Sequence, residues 1–531
     1  MKRLMCVLTY FLCVLNLVAQ SVTKELATQI AEQYMQYSNC QSAPKGYALL
    51  TRNSQIDTTY TQTFSITGKA PLYLVQLPEG WVLVASEFVS TPILASAPTG
   101  QFPDIIKMPD GLKWLLSYYE DAMQYTRDSI SMRKDSVFNE WEYLYAPLGM
   151  NNRNISSLPY SYEIDSIRSF LWNQNGNNGS VWPDCDKVYD KFCPTWYTPT
   201  FCNHTYVGCT AVAMGIVMRY YKWPHSALIP NSIDSTAQIS TEQHLVTYNW
   251  NQMPGAIYNS TNLSKVDEIA GFLRDCGYAA KMEYKRSGSS ASFDNAAYAM
   301  EYNFHYADMK HRLREWYVGN WVNKLKTEIA AGRPIIYAGY KETGGGHAIV
   351  LYGYDTDDKF IINWGWADTT ANNGVYTLNP LIPEGHTQNY YKDQEAIWEI
   401  TPDYPNCNDY ILQQSDVNSD NFEIYKGGAI SASNVTINNN RSGVILSGQT
   451  VTLNSGFTIA AGSHVIIKVV DMHCDDDRGE NSIEEETPDI HYAPRIRSTI
   501  IVPPATKILR DGQILILRGD QIYTLTGQEV K

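Results

Sequence analysis

The chain lacks any block of lysine or arginine, and charged side chains make up only 18% of its 531 residues. The formal net charge is −14 at pH 7. Nucleic acids and anionic bilayers are held by clustered basic residues, so this balance argues against both as partners. Beyond the N-terminus no stretch reaches the roughly 18 uninterrupted apolar residues that a membrane span needs, and no transmembrane segment is expected. A calcium loop is missing too. "DVNSDN" at 416–421 begins like one, yet Asn421 stands at the glycine position and Gly427 at the bidentate position twelve. No metal or organic cofactor is expected. Cysteine is scarce, ten residues in all, so each can be accounted for.

What is present begins with "MKRLMCVLTYFLCVLNLVAQS". Lys2 and Arg3 form a basic start, and Leu4 to Val18 a short apolar core. The pattern predicts a secretory signal peptide over 1–20, too short for a stable span. Cys13 follows Leu12 rather than a small residue, which argues against a lipoprotein site. The expected destination is extracellular, either secreted or at the cell surface. Disulfides are then permitted. Between 160 and 400 lie Cys185, Cys193, Cys202, Cys209 and Cys276. Five is odd, so pairing inside this region leaves at least one thiol free, and parity does not say which.

At 531 residues and 44% hydrophobic content the chain should form several globular units. "TKELATQIAEQYMQY" has helical spacing with Thr23 as N-cap. "PLYLVQLPEGWVLVASE" reads as a hairpin around "PEG", and residues 111–145 as a long amphipathic helix. "APLGMNNRNISSLPYSYEIDS" is polar, turn-rich and open to cleavage. Residues 160–402 combine an apolar helix with strand-like "RPIIYAGY", "HAIVLYGYD" and "KFIINWGWA", a pattern for an α+β domain. From 403 the texture changes to short triplets, "VTI", "VIL", "VTL", "FTI" and "VII", spaced six to nine residues apart. They predict a small all-β module, solenoid or sandwich.

The chemistry centres on "YVGCTAVAMGIVMRYYKWP", where Cys209 opens a helix apolar on nearly every face. A helix N-terminus favours an anion and is one way to depress a thiol pKa. The competing reading is a small buried core residue. A thiolate nucleophile needs a base, and the base an orienting group. His347, 138 residues on, leads an apolar strand after three glycines in "TGGGHAIVLYGYD". Asn363 in "IINWGWA" could accept from the imidazole and fix its tautomer, with Trp364 shielding the bond. An oxyanion needs a second donor besides the Cys209 N–H, and "FLWNQNGNNG" offers Gln174, with Asn173 and Asn175 as alternatives.

Together "YVGCTAVAMGIVMRYYKWP", "GGGHAIVLYGYD", "INWGW" and "WNQ" resemble the streptopain-like cysteine peptidases, a papain-like clan of secreted bacterial enzymes. The resemblance covers about 21–402, since "GWVLVASEFVSTPILASAPTGQF" and "GLKWLLSYYEDAM" resemble the family's inhibitory propeptide. It implies Cys209 as nucleophile, His347 as base, Asn363 and Trp364 as its orienting partners and Gln174 as the oxyanion-hole glutamine. Val212 and Gly215 depart from the family's pattern around the nucleophile, and "NGNNGSVWPDCDKVYDKFCPTWYTPTFCNHTY" lengthens the approach from Gln174. Also implied are a zymogen cleaved in the 145–165 linker and a bulky apolar preference at P2; activation by reductant is expected because an accessible low-pKa thiol oxidises readily.

The expected layout is a signal peptide (1–20), an α+β propeptide (21–155), a papain-like peptidase domain (156–402), an all-β accessory module (403–475), an acidic linker (476–505) and a short β tail (506–531). That tail resembles the terminal signals by which Gram-negative anaerobes export proteins through the outer membrane. The expected partners are protein or peptide substrates and the chain's own propeptide. Two rival functions remain at this stage. One is a peptidoglycan hydrolase using the same Cys–His pair; the other is a catalytically inert surface-binding protein.

Overall fold

A computed structural model describes residues 21–470, apart from 42–58, 105–107, 129–140, 142–143, 145–161, 179–183, 196–200, 234–237, 286–287, 341–345, 356–357, 367–373, 379–393 and the single residues 79, 89, 177 and 241. It also describes four backbone strands within 506–530. The expected signal peptide, the acidic linker and nearly all of the cleavable linker lie outside the described residues. The chain divides into two compact units: the first takes in residues to Tyr221, Asn251–Ala297 and Asp308–Ile400, the second Lys222–Trp250, Tyr298–Ala307 and everything from Thr401.

The first unit is α+β. Its sheet starts with four antiparallel strands, β1 (Tyr60–Phe64), β2 (Leu72–Gln76), β3 (Trp81–Ala85) and β4 (Ile93–Ala97). β2 and β3 are the expected hairpin, in register Gln76↔Trp81. The sheet continues through β12 (Val375–Thr377), β11 (Lys359–Asn363), β10 (Gly346–Tyr354), β9 (Ile335–Tyr340), β13 (Gln394–Trp398) and β8 (Lys310–Leu313), with β5 (Tyr162–Glu163) pairing β10. The junction is β4 with β12, Val375 opposite Ser96 and Tyr376 opposite Ala95. The N-terminal region therefore adds its sheet to the edge of the sheet that carries His347.

Six helices of eight or more residues occur among the described residues. α1 (Lys24–Gln41) packs on β1–β3 and starts where the Leu26 N–H donates to Thr23 Oγ1 at 3.2 Å. α2 (Asp110–Asp128) packs on β9 and β10; its expected continuation over 129–140 falls outside the described residues. α3 (Cys209–Tyr221) packs on α4 (Leu263–Ala279) and β10, while α5 (Phe293–Tyr302) and α6 (Trp321–Ala330) follow. Every residue of α3 from Thr210 to Met218 is buried. Val212, Met214, Ile216, Val217 and Met218 are wholly inaccessible, each contributing about 1.5–3 kcal/mol through burial. This core holds the start of α3, and with it Cys209, in a fixed place.

In the second unit the triplets form a parallel solenoid. β14 (Tyr410–Leu412), β16 (Ile430–Ala432) and β19 (Val451–Leu453) stack as one face. β15 (Asn421–Lys426), β18 (Ser442–Ser447) and β21 (His464–Val469) make the second, and β17 (Thr436–Ile437) with β20 (Thr458–Ile459) the third. Leu412, Val417, Phe422, Ile430, Val435, Ile437 and Ile445 fill the interior. The tail strands β22 (Thr506–Arg510), β23 (Gln513–Arg518), β24 (Gln521–Thr524) and β25 (Glu529–Val530) extend the second face antiparallel. β6 (Ser226–Pro230) and β7 (Gln243–Thr247) form a separate hairpin in this unit. Among the described residues no helix is long and apolar enough to cross a membrane.

Candidate active site

The glycine before Cys209 has a physical reason. Gly208 has φ +91°, and a Cβ there would lie 2.7 Å from Met282 Sδ and 3.0 Å from the Ser289 carbonyl oxygen. Only glycine turns the chain into α3 at this point, and the turn places Cys209 at the helix's first residue, half-buried, with the preceding backbone pressed against Met282. Gly208→Ala is expected to destabilise the fold by about 1–3 kcal/mol through backbone strain. It should also slow the alkylation of Cys209; thermal melting and iodoacetamide labelling would measure the two effects. Gly215, a departure from the family pattern, packs where a Cβ would meet Leu273 at 2.6 Å and Trp172 at 3.3 Å.

His347 is 5% exposed near the start of β10. Its Nε2 lies 3.0 Å from the carbonyl oxygen of Trp364. A carbonyl only accepts, so Nε2 carries the proton, which leaves Nδ1 for the hydrogen bond between this imidazole and Cys209. Burial by itself would raise the Cys209 thiol. The charge and hydrogen bond of His347, with backbone hydrogen bonds at Ala348 and Thr210, outweigh it, and the pKa is lowered. For His347 burial pushes downward, but the Cys209 charge and hydrogen bond, the Trp364 carbonyl and the Asp110 carboxylate raise it overall. The two shifts point the same way, toward a thiolate–imidazolium pair.

The other free thiols behave differently. Cys185 and Cys202 form a disulfide, with Cα atoms 5.3 Å apart, leaving Cys193, Cys209 and Cys276 free among the described residues of this region. Burial drives both Cys193 and Cys276 well above the ordinary thiol range. Of the three, Cys209 alone is poised to ionise.

Asn363 does not meet the imidazole. Its Nδ2 donates to the carbonyls of Phe170 at 2.7 Å and Ile167 at 3.3 Å, and its Oδ1 accepts from the Gly365 N–H at 3.0 Å. The amide is spent on tying the end of β11 to the 167–170 segment and on the turn after Trp364, and the orienting acceptor is the Trp364 backbone. A carbonyl has no side-chain signature, so nothing in the sequence could single it out. The Trp364 ring is fully buried, edge-on to Tyr376 at 5.0 Å. Gln174 is 8% exposed, and its carbonyl accepts from the Val207 N–H at 2.9 Å, two residues before Cys209. The structure thus brings Cys209, His347 and Trp364 together, sets Gln174 against the stretch leading to Cys209 through the Val207 hydrogen bond, and keeps Asn363 as a brace.

A further contact was not foreseen. The first turn of α2 covers His347: a Cβ on Gly111 would fall 2.4 Å from His347 Cδ2 and 3.1 Å from Trp364 Cε3. One turn on, Trp114 lies over Gly339, where a Cβ would meet its ring at 1.7 Å, and its Nε1 donates to the Tyr340 carbonyl at 3.2 Å. Tyr119 donates to the Thr377 carbonyl at 2.7 Å. The only sequence signal was the absence of a side chain at 111 beside a conspicuous aromatic at 114, too slight to assign a contact.

Residues 183–376 match the Peptidase C10 family, and residues 19–123 match the Spi protease inhibitor family. The chain is 29% identical over 339 residues to the thiol protease/hemagglutinin PrtT of Porphyromonas gingivalis, covering 61% of this chain and 36% of that protein. To streptopain of Streptococcus pyogenes it is 28% identical over 321 residues, covering 57% of this chain and 72% of that protein. The chain thus spans about a third of the length of the first and nearly three quarters of the second. A structure of a Prevotella intermedia prointerpain A fragment superposes with a TM-score of 0.48 at 18% identity, covering 64% of this chain and 98% of that one.

Proposed function

We propose that this chain, a streptopain-like cysteine peptidase with an N-terminal inhibitor domain, is exported as an inactive precursor and hydrolyses peptide bonds in proteins outside the cell. The observation that carries this reading is the Cys209–His347 pair, with one thiol lowered and one imidazole raised, lying under the first turn of α2. Cys209 Sγ attacks the substrate carbonyl. The Cys209 N–H and the Gln174 side-chain amide hold the oxyanion, His347 Nδ1 passes its proton to the leaving amine, and water then cleaves the thioester. Trp364 holds the imidazole in the tautomer this sequence needs. The fragment 1–20 serves as the export signal and the tail strands as an address for outer-membrane passage.

In the precursor, α2 closes the site. Gly111 lies against His347 Cδ2, Asp110 adds its charge to the imidazole, and Trp114 seats the helix against β9. Cleavage in the 145–165 linker separates the inhibitor domain and opens the cleft. Trp114→Ala removes a buried ring and its hydrogen bond, a change worth about 3 kcal/mol in comparable sites. The untrimmed Trp114→Ala precursor is therefore expected to hydrolyse a small fluorogenic peptide where the wild-type precursor is silent, and to trim itself sooner. Casein and peptidoglycan assays on the trimmed protein test the reaction class: casein cleavage supports the endopeptidase, wall digestion without casein cleavage the crosslink hydrolase, and neither the binding protein.

A further inference from the structure

Gln174 sits in a loop that the structure closes on itself. Leu171 and Asn178 bound it, and Asn178 Nδ2 donates to the Leu171 carbonyl at 2.8 Å. The Leu171 N–H donates to Gly255, and Trp172 Nε1 to the Pro254 carbonyl at 2.9 Å. Asn173 Oδ1 accepts from the Asn175 N–H at 2.9 Å. At the centre the Gln174 carbonyl takes the Val207 N–H. One side chain from outside the loop binds both of its ends. The Tyr189 hydroxyl lies 2.5 Å from Asn178 Oδ1 and 3.4 Å from the Leu171 carbonyl, and it accepts from the Ile257 N–H at 2.8 Å. Its own N–H donates to the Gly176 carbonyl at 3.1 Å. Tyr189 is 0% exposed and Asn178 4%.

Tyr189 lies in the long approach between Gln174 and Cys209, the stretch that the Cys185–Cys202 disulfide closes into a ring. The far side of that stretch returns along Thr205, whose N–H donates to Pro194, and so to Val207. A segment that lengthens the approach to the nucleophile would ordinarily loosen Gln174. Here it carries a buried phenol back to both ends of the Gln174 loop.

We propose that Tyr189, through Asn178, is a positioning residue for the oxyanion donor Gln174. The inference rests on the role given to Gln174 above. An oxyanion donor stabilises charge only if it is held where that charge develops, and a displacement of about 1 Å is costly. Tyr189 touches neither substrate nor thiol. Its loss leaves the Cys209–His347 pair intact and lets the loop drift.

The test is a double-mutant cycle on the full-length chain, matured in trans by a trace of tagged wild-type enzyme that is then removed. Values of kcat are normalised to the Cys209 thiol titrated with iodoacetamide. Gln174→Ala is expected to lower kcat by about 10²-fold. Tyr189→Phe is expected to lower kcat by about tenfold with KM unchanged, and to leave the iodoacetamide rate of Cys209 unchanged, because that displacement uses no oxyanion hole. In the Gln174→Ala background Tyr189→Phe should have no further effect on kcat. Should Tyr189→Phe fail to accumulate, Asn178→Asp runs the same cycle, since it keeps the size but loses the donor to Leu171. An equal drop in both backgrounds, or a parallel loss of alkylation rate, makes Tyr189 a structural residue and overturns the proposal. If Gln174→Ala alone leaves kcat unchanged, the oxyanion role of Gln174 fails first and the proposal falls with it, whatever Tyr189→Phe does.

Discussion

Cys209→Ala is expected to abolish hydrolysis of casein and of small peptides, by a factor on the order of 10⁵ or more, and to leave the precursor at full length under reducing conditions. The expectation comes from the asymmetry among the free thiols. Burial holds Cys193 and Cys276 protonated, so neither can substitute as nucleophile. The variant should still fold, because the helix core from Ala211 to Met218 is untouched and alanine suits the first turn. Melting temperature and the ability of added wild-type enzyme to trim the variant separate lost chemistry from lost structure. A Cys209→Ala chain that trims itself and digests casein would remove Cys209 from the reaction.

Replacing His347 has the second largest effect. His347→Ala removes the group proposed as base and leaving-group acid, and with it the charge that lowers the Cys209 pKa, and kcat is expected to fall about 10⁴-fold. The pH dependence follows from the directions of the two shifts. The thiolate forms as pH rises through the lowered Cys209 pKa, and the imidazolium is lost as pH rises through the raised His347 pKa. The competent ion pair exists between them, so kcat/KM should be bell-shaped, its acid limb belonging to the thiol and its alkaline limb to the imidazole. Asp110 lies in the region that matches the Spi protease inhibitor family and helps to raise His347, so loss of that region should move the alkaline limb downward. In His347→Ala the buried thiol loses its main lowering partner and should titrate at higher pH than in the wild type, read by the pH dependence of its alkylation. An unchanged profile would mean that His347 does not face Cys209.

The parts of this machinery that use local patterns could be read in the sequence. The apolar faces of α3, the continuous apolar runs of β9–β11, the "PEG" hairpin and the Thr23 cap each depend on residues a few positions apart. The pairing of β4 with β12 does not, since Ser96 and Val375 meet across most of the chain with no local mark. The solenoid was half legible. Adjacent triplets are irregularly spaced, but each face repeats after 20 to 22 residues, as Tyr410↔Ile430, Ser442↔His464 and Thr436↔Thr458 do. Left-handed residues recur with them, Asn434 below Gly456 and Asn440 below Gly462. The period emerges only when three spacings are added. At the site, cysteine and histidine announce themselves by residue type, whereas the Trp364 carbonyl that orients the imidazole could be any residue's. Asn363, the side chain best suited to that task on paper, is drawn instead to the carbonyls of Ile167 and Phe170.

Alkylation of the trimmed wild-type protein by iodoacetamide between pH 4 and 10, with each cysteine followed by peptide mapping, bears most directly on the thiolate–imidazolium pair. Cys209 should react fastest, with its reactivity rising at lower pH than that of an ordinary thiol, while Cys193 and Cys276 stay unmodified until the fold is lost. If Cys209 instead titrates in the ordinary thiol range of about 8.5, or reacts no faster than Cys193, it is a buried core residue at a helix start, and the catalytic pair does not exist.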